Sequence, residues 1–250
     1  MGDETDLPDD VALLWGLRDS RRRGPRPTLT PDDITRAAVA VADAEGLGAV
    51  SMARVAAELG KSTMALYRHV RSKDELLTLM ADAALDGPPE IPEGVGWRTG
   101  LMLWAQHILA AVRRHPWYAQ LPIGAPPIGP TNLAWLEAAL GTLSGTGLGE
   151  PEQVGVVMSM LTFVQGEIRM RSMLGAGHAA NPQAFGSRYG KLLRRLVDPR
   201  RMPALSAAVA AGVFDGDDLY REDEIDAESA FGFSLFLDGV EKFIATRSGE

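Results

Sequence analysis

The chain has 250 residues, enough for two domains with substantial cores, and its 46% hydrophobic and 23% charged residues are ordinary for a globular protein. It has no cysteine, which excludes disulfides, thiolate nucleophiles and cysteine-based zinc or iron–sulfur sites. The net charge of −8 argues against a polyanion partner until its distribution is followed.

The start is acidic, with Asp3, Glu4, Asp6, Asp9 and Asp10, and lacks the basic-then-apolar pattern of a signal peptide. No apolar run is long enough to span a bilayer. A cytoplasmic protein without a membrane partner is therefore expected. From Arg18 to Lys73 the sign reverses, with eleven basic residues against six acidic ones. Residues 1–27 read as a flexible arm, acidic and then basic, in which clustered arginines accompany Gly and Pro without apolar periodicity. Arg22, Arg23 and Arg26 are candidate contacts to the DNA backbone or minor groove.

Four helices are expected next. Thr30 caps the first, Pro31 suits its first position, and Asp32 and Asp33 favour the positive end of its dipole. Ile34, Ala37, Ala38, Val41 and Ala44 form its apolar stripe, and Gly46 closes it. The second runs from Ser51 to Gly60 with Met52, Val55, Ala56 and Leu59 on one face. Ser62 caps a short third helix from Thr63 to about Val70, whose inward face is Leu66 and Val70. Ser72 and Glu75 spell a capping box for the fourth, anchored inward by Leu76, Leu77, Met80 and Ala83.

Two short helices joined by a glycine-containing turn are the helix-turn-helix pattern. A reading helix must turn its N-terminal residues toward base edges, so these cannot belong to the core. Arg68 can donate to guanine acceptors or to phosphate. Tyr67 can touch a thymine methyl or bond a phosphate, and Thr63 can do either. Lys73, at a helix start, is placed for phosphate. Ser51, Arg54, Ser62, Met64 and His69 complete the candidate set, His69 being either a reader or a support at the domain interface.

The stretch GLGAVSMARVAAELGKSTMALYRHVRSKDELL, within Thr30–Leu85, closely resembles the DNA-binding domain of the TetR family. The resemblance implies that Thr63, Met64, Tyr67, Arg68, His69 and Lys73 face DNA, with Tyr67 and Lys73 matching the usual phosphate contacts. Met64 departs from a polar reader and is expected to pack on a base or methyl group.

The Pro/Gly run from Asp86 to Gly96 marks a boundary, giving a DNA-binding domain at 28–86 and a second helical domain at 95–248. Helices are expected at Trp97–His115, Thr131–Ser144, Glu152–Leu174, Pro182–Val197, Pro203–Ala211 and Ala227–Arg247, with no strand. The fold class is thus all-α: a three-helix helix-turn-helix domain plus a larger ligand-binding and dimerisation domain. Val157, Leu161, Val164 and Ile168 repeat along one long helix, and Phe233, Phe236, Val240 and Phe243 along another. Such seams form either a monomer core or a four-helix dimer interface.

The segment HPWYAQLPIGAPPIGPTNLAWLEAAL is similar to the tetracycline-repressor branch of the family. That branch dimerises through its last long helices and binds a drug-like inducer, which favours the dimer reading. Candidate effector contacts are Trp104, His107, Trp117, Met160, Phe163, Glu167, Met170 and Arg171, an apolar set with a few polar anchors. His107 and His115 do not share a helix face, so no metal or other cofactor is expected. There is no P-loop, no dinucleotide fingerprint and no H-E-x-x-H, so no enzyme is expected. The reading is a ligand-responsive repressor acting as a homodimer on double-stranded operator DNA and released by a small effector. An activator of the same fold, or a helical interaction protein that does not bind DNA, is the alternative.

Overall fold

The computed structural model describes residues 7–17, 29–121, 128–185, 187–216 and 227–247, and every regular element among them is helical. Arg22, Arg23 and Arg26 lie outside the described residues. In chain order the helices are α1 (Asp9–Leu14), α2 (Pro31–Glu45), α3 (Met52–Glu58), α4 (Thr63–Tyr67), α5 (Lys73–Ala83), α6 (Trp97–Arg114), α7 (Pro130–Thr142), α8 (Glu150–Ala180), α9 (Ser187–Leu196), α10 (Pro203–Ala210) and α11 (Ala227–Arg247).

The caps that delimit α2 to α5 form as their residues dictate. Thr30 Oγ1 accepts from Asp33 N at 3.1 Å and Thr30 N donates to Asp33 Oδ2 at 3.0 Å, a reciprocal box. Ser51, Ser62 and Ser72 accept from the backbone N–H of Arg54, Ala65 and Glu75. Glu75 reaches one residue further back than a capping box does, to Arg71 N. Gly46 and Gly60 end α2 and α3 at φ of +84° and +62°, where a side chain would be strained.

Inside this group, Ile34, Ala38, Val55, Leu66, Val70, Leu76 and Met80 are sealed from solvent. Each large member contributes roughly 1.5–3 kcal/mol by burial. Trp117 and Leu121, beyond α6, belong to the same core. Two positions depart from expectation: Ala44 and Ala83 are exposed, and the inward places fall to Ala42 and Asp82.

Chain contacts divide the molecule into two units, Met1–Val164 with Leu237–Glu250, and Gln165–Phe236. In the first unit α6 packs on α7, with Trp104 and Trp135 rings edge-on at 6.3 Å. Trp104 Nε1 donates to Trp135 O at 2.8 Å. Arg98 on α6 pairs with Asp238 and Glu241 on α11. In the second unit α9 packs on α10, Tyr189 meets Phe214 edge-on, and Arg194 pairs with Asp215.

Three elements differ from the sequence expectation. A helix, α1, stands within the segment read as a flexible arm, because Leu13 is buried and Trp15 Nε1 donates to Ile128 O at 3.0 Å. α8 runs to Ala180, past Leu174, since Gly175 and Gly177 lower helix propensity without stopping a helix already propagating. The single helix expected over Pro182–Val197 is a 3₁₀ turn, Pro182–Ala184, followed by α9. Phe185 adopts extended backbone there and its ring lies edge-on to His178.

Candidate DNA interface and effector residues

α4 is only five residues long, so its orientation comes from its neighbours rather than from helix propensity. Leu66 is fully buried and pins one face. The opposite side carries Met64 at 70% exposure and Tyr67 at 44%, with Arg68 exposed at the C-cap. Thr63 and His69 are half-buried, and Lys73 is exposed at the first position of α5. The arrangement presents one apolar, one aromatic and two cationic side chains to solvent near two helix N-termini, which suits a polyanion with readable base edges.

The remaining described members of the DNA set make hydrogen bonds within the chain. Ser51 and Ser62 are exposed but use their hydroxyls as caps. Arg54 is held by two carboxylates. Its Nε and Nη2 donate to Glu45 Oε1 at 3.0 and 2.6 Å, and its Nη1 donates to Glu58 Oε2 at 2.8 Å. Its hydrogen bonds to Glu45 first, then to Glu58, raise its pKa, and they lower that of Glu45. This geometry ties α2 to α3. Sequence reasoning passed over Lys61 and Arg71, both exposed in the turns flanking α4; Arg71 pairs with Asp9 of α1.

Trp104 is 2% exposed and spends its indole N–H on Trp135 O. Trp117, also 2% exposed, donates from Nε1 to Asp43 Oδ1 at 2.6 Å. Both pack into the interior with their indole N–H groups paired. Met160 is fully buried and Phe163 half-buried. His107 is exposed and its Nδ1 bonds Leu103 O. Glu167 and Arg171 form a half-buried pair at 2.6 Å, and Met170 is 59% exposed. A cleft of about 580 Å³ is lined by Gly147, Gly149, Pro151, Glu152 and Arg247, and another of about 430 Å³ by residues of α1, α2, Leu79 and Pro130. Neither is lined by an expected effector residue.

Val157, Val164, Ile168, Phe233 and Val240 are buried within a single chain, while Leu161 and Phe236 are half-buried and Phe243 is 41% exposed. Neighbours in the same chain cover most of the stripe.

A helix-turn-helix carried ahead of further helices, with an exposed face on α4, is the architecture of a DNA-binding regulator. Residues 34–80 match the family described as bacterial regulatory proteins, tetR family, and residues 88–244 match the tetracyclin repressor-like C-terminal domain. The chain belongs to the TetR family and is a helix-turn-helix transcriptional repressor. It is 37% identical to the HTH-type transcriptional repressor DrrR1 of Streptomyces coeruleorubidus, across 98% of this chain and 89% of that one. It is 25% identical to the class A tetracycline repressor protein of Escherichia coli transposon 1721, across 86% and 91% of the two chains. Among solved structures it is similar to ActR of Streptomyces coelicolor in complex with actinorhodin. That match has a TM-score of 0.71 and 25% identity, over 85% of this chain and 95% of ActR. ActR in complex with (S)-DNPA matches with a TM-score of 0.70.

Proposed function

We propose that the protein represses transcription by binding a palindromic operator as a homodimer, and that a small apolar effector releases it. The observation that carries the reading is the exposed row of Met64, Tyr67 and Arg68 on a helix whose other face is locked by Leu66. The DNA-binding domain spans 28–86 and the effector and dimerisation domain 95–248, behind an N-terminal arm. The protein works by binding alone, without a chemical step, in the cytoplasm; no described helix is long and apolar enough to cross a membrane.

Dimerisation has a physical motive, since two reading helices about 34–36 Å apart engage both half-sites together. Its support is the apolar side chains that α8 and α11 keep in solvent. On α8 these include Val154 and Met158, and on α11 Phe231, Leu235 and Phe243. Gly155 and Gly239 are exposed with open space at their Cβ positions, which would admit a partner's backbone. For the effector, the half-buried Glu167–Arg171 pair offers a polar anchor on α8. A gel-shift experiment with the DNA upstream of the protein's own gene tests the reading, with actinorhodin and (S)-DNPA as release probes. A shift abolished by Arg68→Ala supports it, and no shift at low salt contradicts it.

A further inference from the structure

We infer that Asp82 is a positioning residue for DNA reading: from the C-terminal end of α5 it caps the N-terminus of α7 and so fixes the pose of α4. The inference rests on the DNA-binding reading above. α7 begins Gly129-Pro130, a start that leaves its first turn without a cap of its own, because Gly129 has no side chain. Asp82 supplies it. Its Oδ1 accepts from Asn132 N at 2.9 Å and from Asn132 Nδ2 at 2.7 Å, and its Oδ2 accepts from Thr131 N at 3.2 Å. A carboxylate is the favoured group at that end of a helix dipole.

Two further features mark this as a built joint. Asp82 is 8% exposed, and no other charged side chain among the described residues is buried. A buried carboxylate persists only where donors compensate its lost hydration. Gly129 is buried against it, and a Cβ there would overlap Asp82 Oδ1, so the site excludes any larger residue.

α5 carries this joint to the DNA face. Leu76 and Met80 lock α5 into the core of the DNA-binding group. Lys73 stands at its other end, nine residues and roughly 13 Å along the axis. Any displacement of the α7 N-terminus is therefore passed to the group that presents α4. A head free to tilt binds an operator only in the fraction of poses with correct spacing, which lowers apparent affinity without removing a phosphate contact.

The absence of cysteine allows a direct test with nitroxides at Arg36→Cys on α2 and Glu137→Cys on α7, both exposed positions. Electron–electron distance distributions are measured in the full-length protein and in Asp82→Ala, Asp82→Asn and Gly129→Ala variants. Affinity for a selected operator is measured alongside. Asp82→Ala and Gly129→Ala should broaden the distribution and weaken operator binding about fivefold or more, with an unchanged salt slope. Asp82→Asn, which keeps an acceptor, should fall between. Leu143→Ala, a fully buried change on the same side of the joint, should lower Tm without either effect. If Asp82→Ala does not fold, Asn132→Ala removes one of the three donors and takes its place. A narrow distribution with wild-type affinity in the joint variants overturns the inference, as does Leu143→Ala reproducing their behaviour. Failure of the wild type to bind any DNA specifically contradicts the functional reading instead, while the distances still report on the joint.

Discussion

Trp117 Nε1 donates to Asp43 Oδ1 at 2.6 Å, joining the segment after α6 to the last turn of α2. The same oxygen is bonded by His115 Nδ1 at 2.8 Å, and the two rings lie 5.6 Å apart. The indole body fills the core of the DNA-binding group while its N–H meets the carboxylate at the edge. Trp117→Phe keeps most of the packing and deletes the donor. It should lower the unfolding free energy by about 1.5–3 kcal/mol, the range for a hydrogen bond to a charged group. Urea unfolding of the variant, compared with Trp117→Phe in an Asp43→Ala background, measures it; equal losses in both backgrounds would remove Asp43 from the account.

At the proposed DNA face, Lys73 and Arg54 make opposite predictions. Lys73→Ala should weaken binding to all sequences and reduce the slope of log K against log salt by about 0.9, the loss of one phosphate contact. Arg54→Ala should leave that slope unchanged and lower the thermal midpoint, because its guanidinium holds Glu45 and Glu58. Anisotropy titrations at several salt concentrations, paired with melting curves, decide both.

Met64 is expected to touch a base or methyl group from its 70% exposed position. Met64→Ala should leave the salt slope intact and relax the sequence preference at one base position per half-site. Competition binding with single-base operator variants checks this.

The legibility of this fold in the sequence followed the local code. Thr30, Ser51, Ser62 and Ser72 announced their helix starts because a cap needs only its own next turn. What could not be read was tertiary. The stripe of Val157, Val164, Phe233 and Val240 has the same period whether its partner lies in the chain or in a second copy, and only burial separates the two. For Trp104 and Trp117, nothing local in the sequence announces their N–H partners, Trp135 O and Asp43. Asp82 gave no signal, since a carboxylate on a helix is ordinarily solvated and its donors lie about 50 residues away.

Tyr118 gives a pH test. Burial, and then the charge of Asp82, push its phenol above the ordinary value of 10.0. The unfolded chain therefore loses this proton near pH 10 while the folded protein retains it. Its contribution to stability is complete below pH 10 and declines as pH rises through the folded pKa. Stability of the wild type should fall more steeply above pH 10 than that of Tyr118→Phe, by urea unfolding at stepped pH. Parallel curves would contradict the assignment.

For the proposed dimer, Leu235→Glu on an exposed position of α11 should give folded monomers by sedimentation, whereas Val164→Glu, fully buried, should unfold the protein. Folded dimers of Leu235→Glu would move the interface elsewhere.

The measurement that bears most directly on the central claim is selection of bound duplexes from random-sequence DNA by the full-length protein. The account predicts enrichment of an inverted repeat whose half-site centres lie about one helical turn apart, roughly 10 bp, and loss of that enrichment in Arg68→Ala. Recovery of unenriched sequences by both proteins alike would contradict it.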